Sequence, residues 1–308
     1  MIDQLNQMAL DRLQRLESCA HRLRIAFLEE GRVADFGVNM CGGLEAGLEL
    51  ARICLGGLGV INLLQSDDQP VIQVFTDQPA LACMGSQYGG WPVRTDDYFA
   101  IGSGPMRLHR GKEPVLDKYG FAAHSREIVG VLESGQLPNE DVIRYMADEC
   151  EIDPSRIFLC VAPTRSLAGT IQIVARSVEA TMHKLFELDV DLRKVTSGLG
   201  TAPLPPVSAD DLIAIGRTND AILYGGCVTL WVDMNDDEIE RIGPETPSNS
   251  SSEFGKPFGE IFAVSGGDFY QLDPMLFSAA QVTFVSNESG KMFRFGETRL
   301  DIVRAAGR

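Results

Sequence analysis

Two charged residues, Arg176 and Glu179, stand apart in a stretch of the chain with helical character. They are the only charged residues between Arg165 and Lys184. An ionised group that leaves water must be paired or must serve a purpose. A spacing of three residues places both side chains on one face of a helix, one turn apart. Since a desolvated carboxylate is a competent general base, and a guanidinium can orient it, the pair suits the activation of a water molecule.

The alternative is an ordinary ion pair that faces solvent and stabilises the helix by about 0.2–0.5 kcal/mol. Two observations weigh against it. The cation precedes the anion, which is the less favourable order relative to the helix dipole. The segment is otherwise devoid of charge, as a helix that lines a cleft would be. Covalent acyl transfer has little support, because the sequence contains no G-x-S-x-G motif.

The pair is predicted to lie on one long helix over residues 165–188, with Thr164 or Ser166 as its N-cap. One stripe of this helix is apolar, at spacings of four and three residues, and is expected to face the core: Leu167, Ile171, Val174, Val178, Met182 and Leu185. A polar stripe with the same spacing runs beside it: Gln172, Arg176, Glu179 and His183.

The rest of the chain alternates between helices and short strands. A first helix is predicted over residues 3–29. Residues 106–126 mix basic, Pro and Gly residues without periodicity, which indicates a linker or crossover. Residues 216–226 are predicted to form a loop that can hydrogen-bond a polar heterocycle, with a plain Asx turn as the alternative. Residues 244–256 are expected to form an exposed polar loop.

This order of elements predicts an α+β (mixed α/β) fold with two lobes, mixed sheets and flanking helices, because helices and strands are interleaved while the C-terminal strands look antiparallel. We place the N-terminal lobe at residues 1–125. The C-terminal lobe, residues 126–308, is expected to carry the Arg-x-x-Glu helix, and the chain is expected to cross between the lobes.

The bulk composition narrows the class of partner. The formal net charge is −16 and no basic stripe is present, so nucleic acid would be repelled. The acidity either favours the approach of a cationic small molecule or serves solubility alone. Neither a signal peptide nor an apolar run of about 20 residues occurs, which predicts a cytoplasmic protein without a membrane partner.

The cysteines and glycines exclude several kinds of site. Seven cysteines and four histidines are scattered along the chain without a C-x-x-C pair, which predicts reduced, mostly buried thiols and no metal. The glycine-rich segments match neither the G-x-G-x-x-G nor the P-loop pattern. A nucleotide site is therefore not expected.

Several segments together resemble one family, the methenyltetrahydromethanopterin cyclohydrolases. They occur in family order from about residue 40 to residue 275: Cys41-Gly-Gly-Leu-Glu-Ala-Gly-Leu, Thr76-Asp-Gln-Pro-Ala, Asp97-Tyr-Phe-Ala-Ile-Gly-Ser-Gly-Pro, Val161-Ala-Pro-Thr, Ala175-Arg-Ser-Val-Glu, Gly200-Thr-Ala-Pro, Gly216-Arg-Thr-Asn-Asp-Ala-Ile-Leu-Tyr-Gly-Gly and Phe254-Gly-Lys-Pro-Phe. No single segment is diagnostic, but the set is highly specific.

The resemblance implies an enzyme that acts on C–N bonds in a cyclic amidine. Its substrate is a tetrahydropterin whose N5 and N10 are joined by a methenyl bridge, and water opens the ring to a formyl-pterin without an external cofactor. Arg176 and Glu179 match the family residues that hold the attacking water in a cleft between two domains. Family members are homo-oligomers, often trimers.

The pterin contacts are predicted at Ser103, Asn219 and Asp220, and next at Thr76 and Asp77, for which shaping of loops or capping of strands is the alternative. Two other functions stay open. One is a non-catalytic pterin-binding or carrier protein, which would have no use for a water-activating base. The other is a cyclohydrolase for a related folate-type substrate.

Overall fold

The computed structural model describes residues 1–306 of the chain. Its helices are α1 Leu5–Glu17, α2 Ala20–Leu23, α3 Leu44–Cys54, α4 Met106–Arg110, α5 Pro114–Tyr119, α6 Glu140–Cys150, α7 Leu167–Val174, α8 Ser177–Glu187, α9 Asp211–Leu223, α10 Asp236–Ile242, α11 Phe258–Val264 and α12 Leu300–Ala306. Its strands are β1 Ala26–Leu28, β2 Val33–Asp35, β3 Val60–Leu64, β4 Val71–Thr76, β5 Trp91–Arg94, β6 Phe99–Ser103, β7 Ile128–Glu133, β8 Ile157–Ala162, β9 Val195–Pro203, β10 Cys227–Val232, β11 Gln281–Ser286 and β12 Met292–Gly296.

The elements form two compact units, and the chain passes between them three times. Unit 1 consists of residues 1–59 and 81–172, and unit 2 of residues 60–80 with the described residues after 172. The predicted α+β fold with two mixed sheets is thus confirmed. The predicted lobe boundary at residues 125 and 126 lies inside unit 1, because β7 pairs with β6 and β8 pairs with both β7 and β2. Strand pairing, which joins residues distant in the chain, is not visible in local patterns.

Unit 1 is built on a six-stranded sheet of order β1-β2-β8-β7-β6-β5. Strands β2, β8 and β7 are parallel, and the other neighbours are antiparallel. Apolar clusters cover both faces, one with α1 and α3 and one with α6. Because both faces are buried, β7 and β8 are almost continuously apolar rather than alternating.

Unit 2 is built on a second six-stranded sheet of order β12-β11-β10-β9-β4-β3. Only β10 and β11 are parallel. Helix α8 packs on one face of this sheet, against β9, β10 and β4. A separate apolar cluster joins α9, α11 and α12. Among the described residues, no helix is both long and apolar enough to cross a membrane.

Three predicted elements are wrong in ways that have a physical reason. The first helix does not run to residue 29: Arg24 adopts the left-handed conformation (φ 56°) and ends α2, so that β1 can begin at Ala26. Residues 106–126 are not a linker but contain α4 and α5, held by a buried ion pair between Arg107 and Glu113. Residues 244–256 are not simply exposed, since Thr246 and Ser248 are fully buried.

Candidate functional site

The predicted helix over residues 165–188 is in fact two helices, α7 and α8, and the break falls at the candidate pair. Ser166 caps α7, as predicted, by accepting a hydrogen bond from the backbone N–H of Gly169 at 3.0 Å. Arg176, with φ −90° and ψ 10°, is the N-cap residue of α8. The hydrophobic period continues through the break, which is why the sequence pattern did not show it.

The break changes the position of Glu179 relative to a helix dipole. Glu179 lies in the first turn of α8, where the positive end of a helix dipole favours a carboxylate. On a continuous helix the same residue would have been well past the first turn. The dipole of α8 therefore favours the carboxylate of Glu179, whereas it opposes the positive charge of Arg176 at the N-cap.

The side chains of Arg176 and Glu179 are 11% and 9% exposed, so the alternative of a solvent-facing ion pair is wrong. The distance from Arg176 Nη1 to Glu179 Oε2 is 3.8 Å, which is longer than a hydrogen bond. One water molecule can lie within hydrogen-bond distance, about 2.8 Å, of two atoms at this separation. The arrangement can thus hold a water between a donor and a basic acceptor.

Thr76 and Asp77 lie at the end of β4, beside the strand that supports the first turn of α8. Thr76 is buried and pairs with Gly198 of β9, and Gly198 in turn lies against Val178 of α8. The Thr76 hydroxyl accepts the backbone N–H of Gln78 at 3.0 Å, and Asp77 accepts the hydroxyl of Ser197 at 2.7 Å. These contacts are those of residues that shape a strand end, and a substrate contact from either stays a prediction.

Asn219 and Asp220 lie on α9, so the prediction of a loop over residues 216–226 is wrong. The helical hydrogen bonds continue through the polar run, and Asn219 Nδ2 itself donates to the carbonyl of Ile215, one turn back, at 2.9 Å. Asp220 is buried, and its Oδ1 accepts the backbone N–H of Phe258 at 2.8 Å. Burial raises the pKa of Asp220 to about 7.

Ser103 belongs to unit 1, whereas the other predicted site residues belong to unit 2. Its hydroxyl is buried, donates to the carbonyl of Val131 at 3.3 Å and lies 3.2 Å from Cys54 Sγ. A tight turn follows this strand, with Gly104 at φ 92°. The structure therefore brings Arg176 and Glu179 together in unit 2 and places Ser103 among packing groups of unit 1.

One cation on α8 was not predicted to matter. Lys184 is fully buried, and its Nζ donates to the hydroxyl of Ser250 at 2.7 Å and to the carbonyl of Met275. Burial lowers the pKa of Lys184 to about 8. A lysine in the last turn of a helix is common, so its position three residues before the end of α8 carried no distinct signal in the sequence.

The chain is similar to known proteins over nearly all of its length. The chain matches the family model described as Cyclohydrolase (MCH) over residues 4–306. A methenyltetrahydromethanopterin cyclohydrolase of Rhodopirellula baltica is 50% identical over 282 residues, which cover 89% of this chain and 85% of the relative. Relatives with the same name from Methylobacillus flagellatus and Methanospirillum hungatei JF-1 are 42% and 41% identical, and cover 90% and 97% of this chain and 86% and 96% of their own lengths.

The chain belongs to the cyclohydrolase (MCH) family. The family predicted from the sequence segments is thereby confirmed. The match extends over both compact units, so neither is an addition to the cyclohydrolase. Among residues 1–306, no group of three or more His, Cys, Asp or Glu side chains is arranged to hold a metal ion.

Proposed function

We propose that this cyclohydrolase catalyses the reversible hydrolysis of 5,10-methenyl-tetrahydromethanopterin to 5-formyl-tetrahydromethanopterin. The observation that carries the proposal is the Arg176–Glu179 pair, buried at the start of α8 and separated by 3.8 Å. Family membership and the printed names of the relatives support the choice of substrate.

The proposed reaction suits a site with a base and a cation. The methenyl carbon lies between N5 and N10 in an amidinium cation, so the electrophile is already activated and no external cofactor is required. A water molecule attacks this carbon while Glu179 removes a proton from the water. The C–OH group of the resulting adduct then loses its proton and becomes the carbonyl, while N10 takes up a proton and the C–N10 bond breaks. The formyl group remains on N5, and one proton is released overall.

The two residues have different roles in this scheme. Glu179 acts as the general base, and its charge also offsets the positive charge of the substrate. Arg176 orients the carboxylate and the water, as a guanidinium with several fixed donors can do. A lone arginine beside a cationic substrate would repel it, which gives a physical reason for pairing it with a carboxylate. Contacts to the pterin from Ser103, Asn219, Asp220, Thr76 and Asp77 stay predictions, as does a cytoplasmic location.

We also propose that the protein is a homo-oligomer, a trimer by family resemblance. The supporting observation is the face of the second sheet opposite α8. Four large apolar residues on this face are 39–64% exposed: Val60, Leu64, Phe75 and Met292. Val60 and Phe75 are direct cross-strand partners, and apolar residues exposed side by side are typical of interfaces. Light scattering measures the mass of the wild type and of Phe75→Glu, in which the mass should fall. Val264→Glu, at an exposed apolar position on α11, is the control and should keep the mass of the wild type. An unchanged mass for both variants contradicts the proposal.

Loss of the methenyl chromophore on mixing with purified protein tests the reaction. The methanopterin substrate, its folate analogue and a Glu179→Gln variant are compared in parallel. Decay with the methanopterin form alone, abolished in the variant, is the expected result. Tight binding without decay in the wild type would instead favour the carrier protein, and decay with the folate form alone would favour the folate-type enzyme.

A further inference from the structure

Strand β9 contains two glycines, Gly198 and Gly200, at alternate positions that face α8. A Cβ added at Gly198 would lie 2.8 Å from Cγ1 of Val178, and a Cβ added at Gly200 would lie 2.9 Å from Cγ2 of the same valine. The Cβ at Gly200 would also lie 2.4 Å from Ser177 Oγ. Each methyl of Val178 is therefore seated over one glycine, at a distance that no other amino acid permits.

Neither glycine is explained by backbone conformation. Neither Gly198 nor Gly200 has a positive φ, so any amino acid could adopt their backbone conformation. Glycine in the interior of a strand weakens the strand, and is expected where another chain segment approaches closely. The closely approaching segment here is the first turn of α8.

The strand cannot move to relieve added volume, because β9 is paired on both sides, with β4 and with β10. Val178 cannot move alone either. It is fully buried, and a valine in a helix is held at one strongly preferred χ1 rotamer. Any added volume at Gly198 or Gly200 must therefore lift the first turn of α8 from the sheet.

Arg176 and Glu179 directly flank the two residues that rest on the glycines. We propose that Gly198 and Gly200 are positioning residues that set the height of the first turn of α8 above β9, and with it the position of the Arg176–Glu179 pair. The inference rests on the proposed function for its kinetic consequence. The close contact of Val178 with the two glycines can be measured without turnover.

A double-mutant cycle at Gly198 and Val178 tests the inference. In Gly198→Ala we expect kcat to fall about 10- to 100-fold with KM changed less than about threefold, because a small displacement of catalytic groups reduces rate more than binding. Val178→Ala removes the methyl that meets the new Cβ, and the next contact is then Leu230 at an ordinary 3.4 Å. The double variant should therefore regain most of the activity of Val178→Ala alone.

Gly243→Ala is the matched control. This glycine also lies in tight contact, with the ring of Phe295 on β12, at the far edge of the same sheet. Its substitution should lower the melting temperature without lowering kcat. Equal loss of kcat in Gly243→Ala and Gly198→Ala would overturn the inference, as would a folded Gly198→Ala protein with wild-type kcat, or a double variant that folds and regains nothing.

Crystal structures of wild type and Gly198→Ala separate failure of this inference from failure of the proposed function. The first turn of α8 should move away from β9 by about 0.6 Å, the change from 2.8 Å to an ordinary contact of 3.4 Å, and should return in the double variant. An unmoved turn overturns the positioning role whether or not the wild type hydrolyses the substrate. If the turn moves but the wild type is inactive, the positioning role of the two glycines is supported and the proposed reaction is wrong.

Discussion

Two Arg–Glu pairs lie mostly out of contact with solvent, one in each compact unit, and they are built differently. In unit 1, Arg107 binds Glu113 through two of its nitrogens, and Nη1 donates to the carbonyls of Met84, Gly85 and Ser86 at 3.1–3.3 Å. In unit 2, Arg176 Nη1 lies 3.8 Å from Glu179 at a helix break. The first guanidinium closes the end of the π-helix Ala80–Gln87, whereas in the second pair the two groups are separated by more than a hydrogen bond.

Burial of a charged pair therefore does not by itself indicate chemistry. The pair in unit 1 is more deeply buried than the pair in unit 2. Its guanidinium is bound by the carboxylate of Glu113 and by three backbone carbonyls, so it is held as a structural group. We infer that what distinguishes a structural pair from a reactive one is whether the distance between the partners leaves space for a third group.

The largest expected effect is that of Glu179→Gln on turnover. Glutamine keeps the shape of the side chain but cannot take a proton, so kcat should fall about 100- to 10,000-fold, whereas KM and the melting temperature should change little. Stopped-flow absorbance of the methenyl chromophore measures the rate. A variant with full turnover would show that Glu179 is not the base. The distinction between a structural pair in unit 1 and a reactive pair in unit 2 would then be wrong.

Glu113→Gln should do the opposite. It leaves the Arg107 cation buried without its counter-charge, which should cost about 3–5 kcal/mol of the free energy of unfolding, while kcat of the folded protein stays near wild type. Urea unfolding followed by circular dichroism measures the stability. A strong loss of kcat at temperatures where the variant is folded would contradict the structural role of this pair.

Arg176→Lys should have an intermediate effect. Lysine keeps the charge but presents one point donor in place of a planar fork, so kcat should fall about 10- to 100-fold, the equivalent of one hydrogen bond to a charged group. The matched change, Arg107→Lys, should lower stability rather than rate. Measurement of kcat and melting temperature for both variants tests this. Loss of stability in Arg176→Lys together with loss of kcat in Arg107→Lys would refute the comparison.

The smallest effect is expected for Asp220→Asn, which extends the comparison to a carboxylate whose partner is the backbone of Phe258. The folded-state pKa is raised from 3.8 to about 7, so the folded protein binds the extra proton between these values and the stability contributed by Asp220 falls as the pH rises through this window. Asparagine can still accept the N–H bond and does not ionise. The variant should therefore gain melting temperature relative to wild type between pH 4 and pH 7, with a constant difference above.

Melting curves of the wild type and the variant at several pH values test this. A flat difference for Asp220→Asn, together with a tenfold or greater loss of substrate affinity, would instead identify Asp220 as a substrate contact and return it to the predicted binding set.

The sequence predicted the elements whose signals are local. The alternation of helices and strands, the cap at Ser166 and the family all agree with the structure or the comparisons. Arg176 and Glu179 were selected because isolated charges in an apolar segment are informative at short range. Their catalytic role stays a prediction.

What failed depends on contacts between distant residues. The break before α8 leaves the hydrophobic period intact, and the helix over Asn219 and Asp220 overrides their turn propensity because α11 and α12 pack against α9. The buried role of Arg107 depends on Glu113 and on carbonyls more than 20 residues away. The alternate glycines of β9 were a readable signal, since two such glycines in a strand indicate a closely packed neighbour.

The passage of the chain between the units has a consequence for biosynthesis. Strands β3 and β4 are made early, but Thr76 pairs with Gly198, more than 120 residues later. At about 5–20 residues per second, the hairpin waits roughly 6–25 s on the ribosome for its partner strand. During that interval residues 81–172 can complete unit 1, while the free edge of β4 is open to pairing with other chains. The yield of folded protein in a cell should therefore depend on what shields this hairpin while the first unit folds.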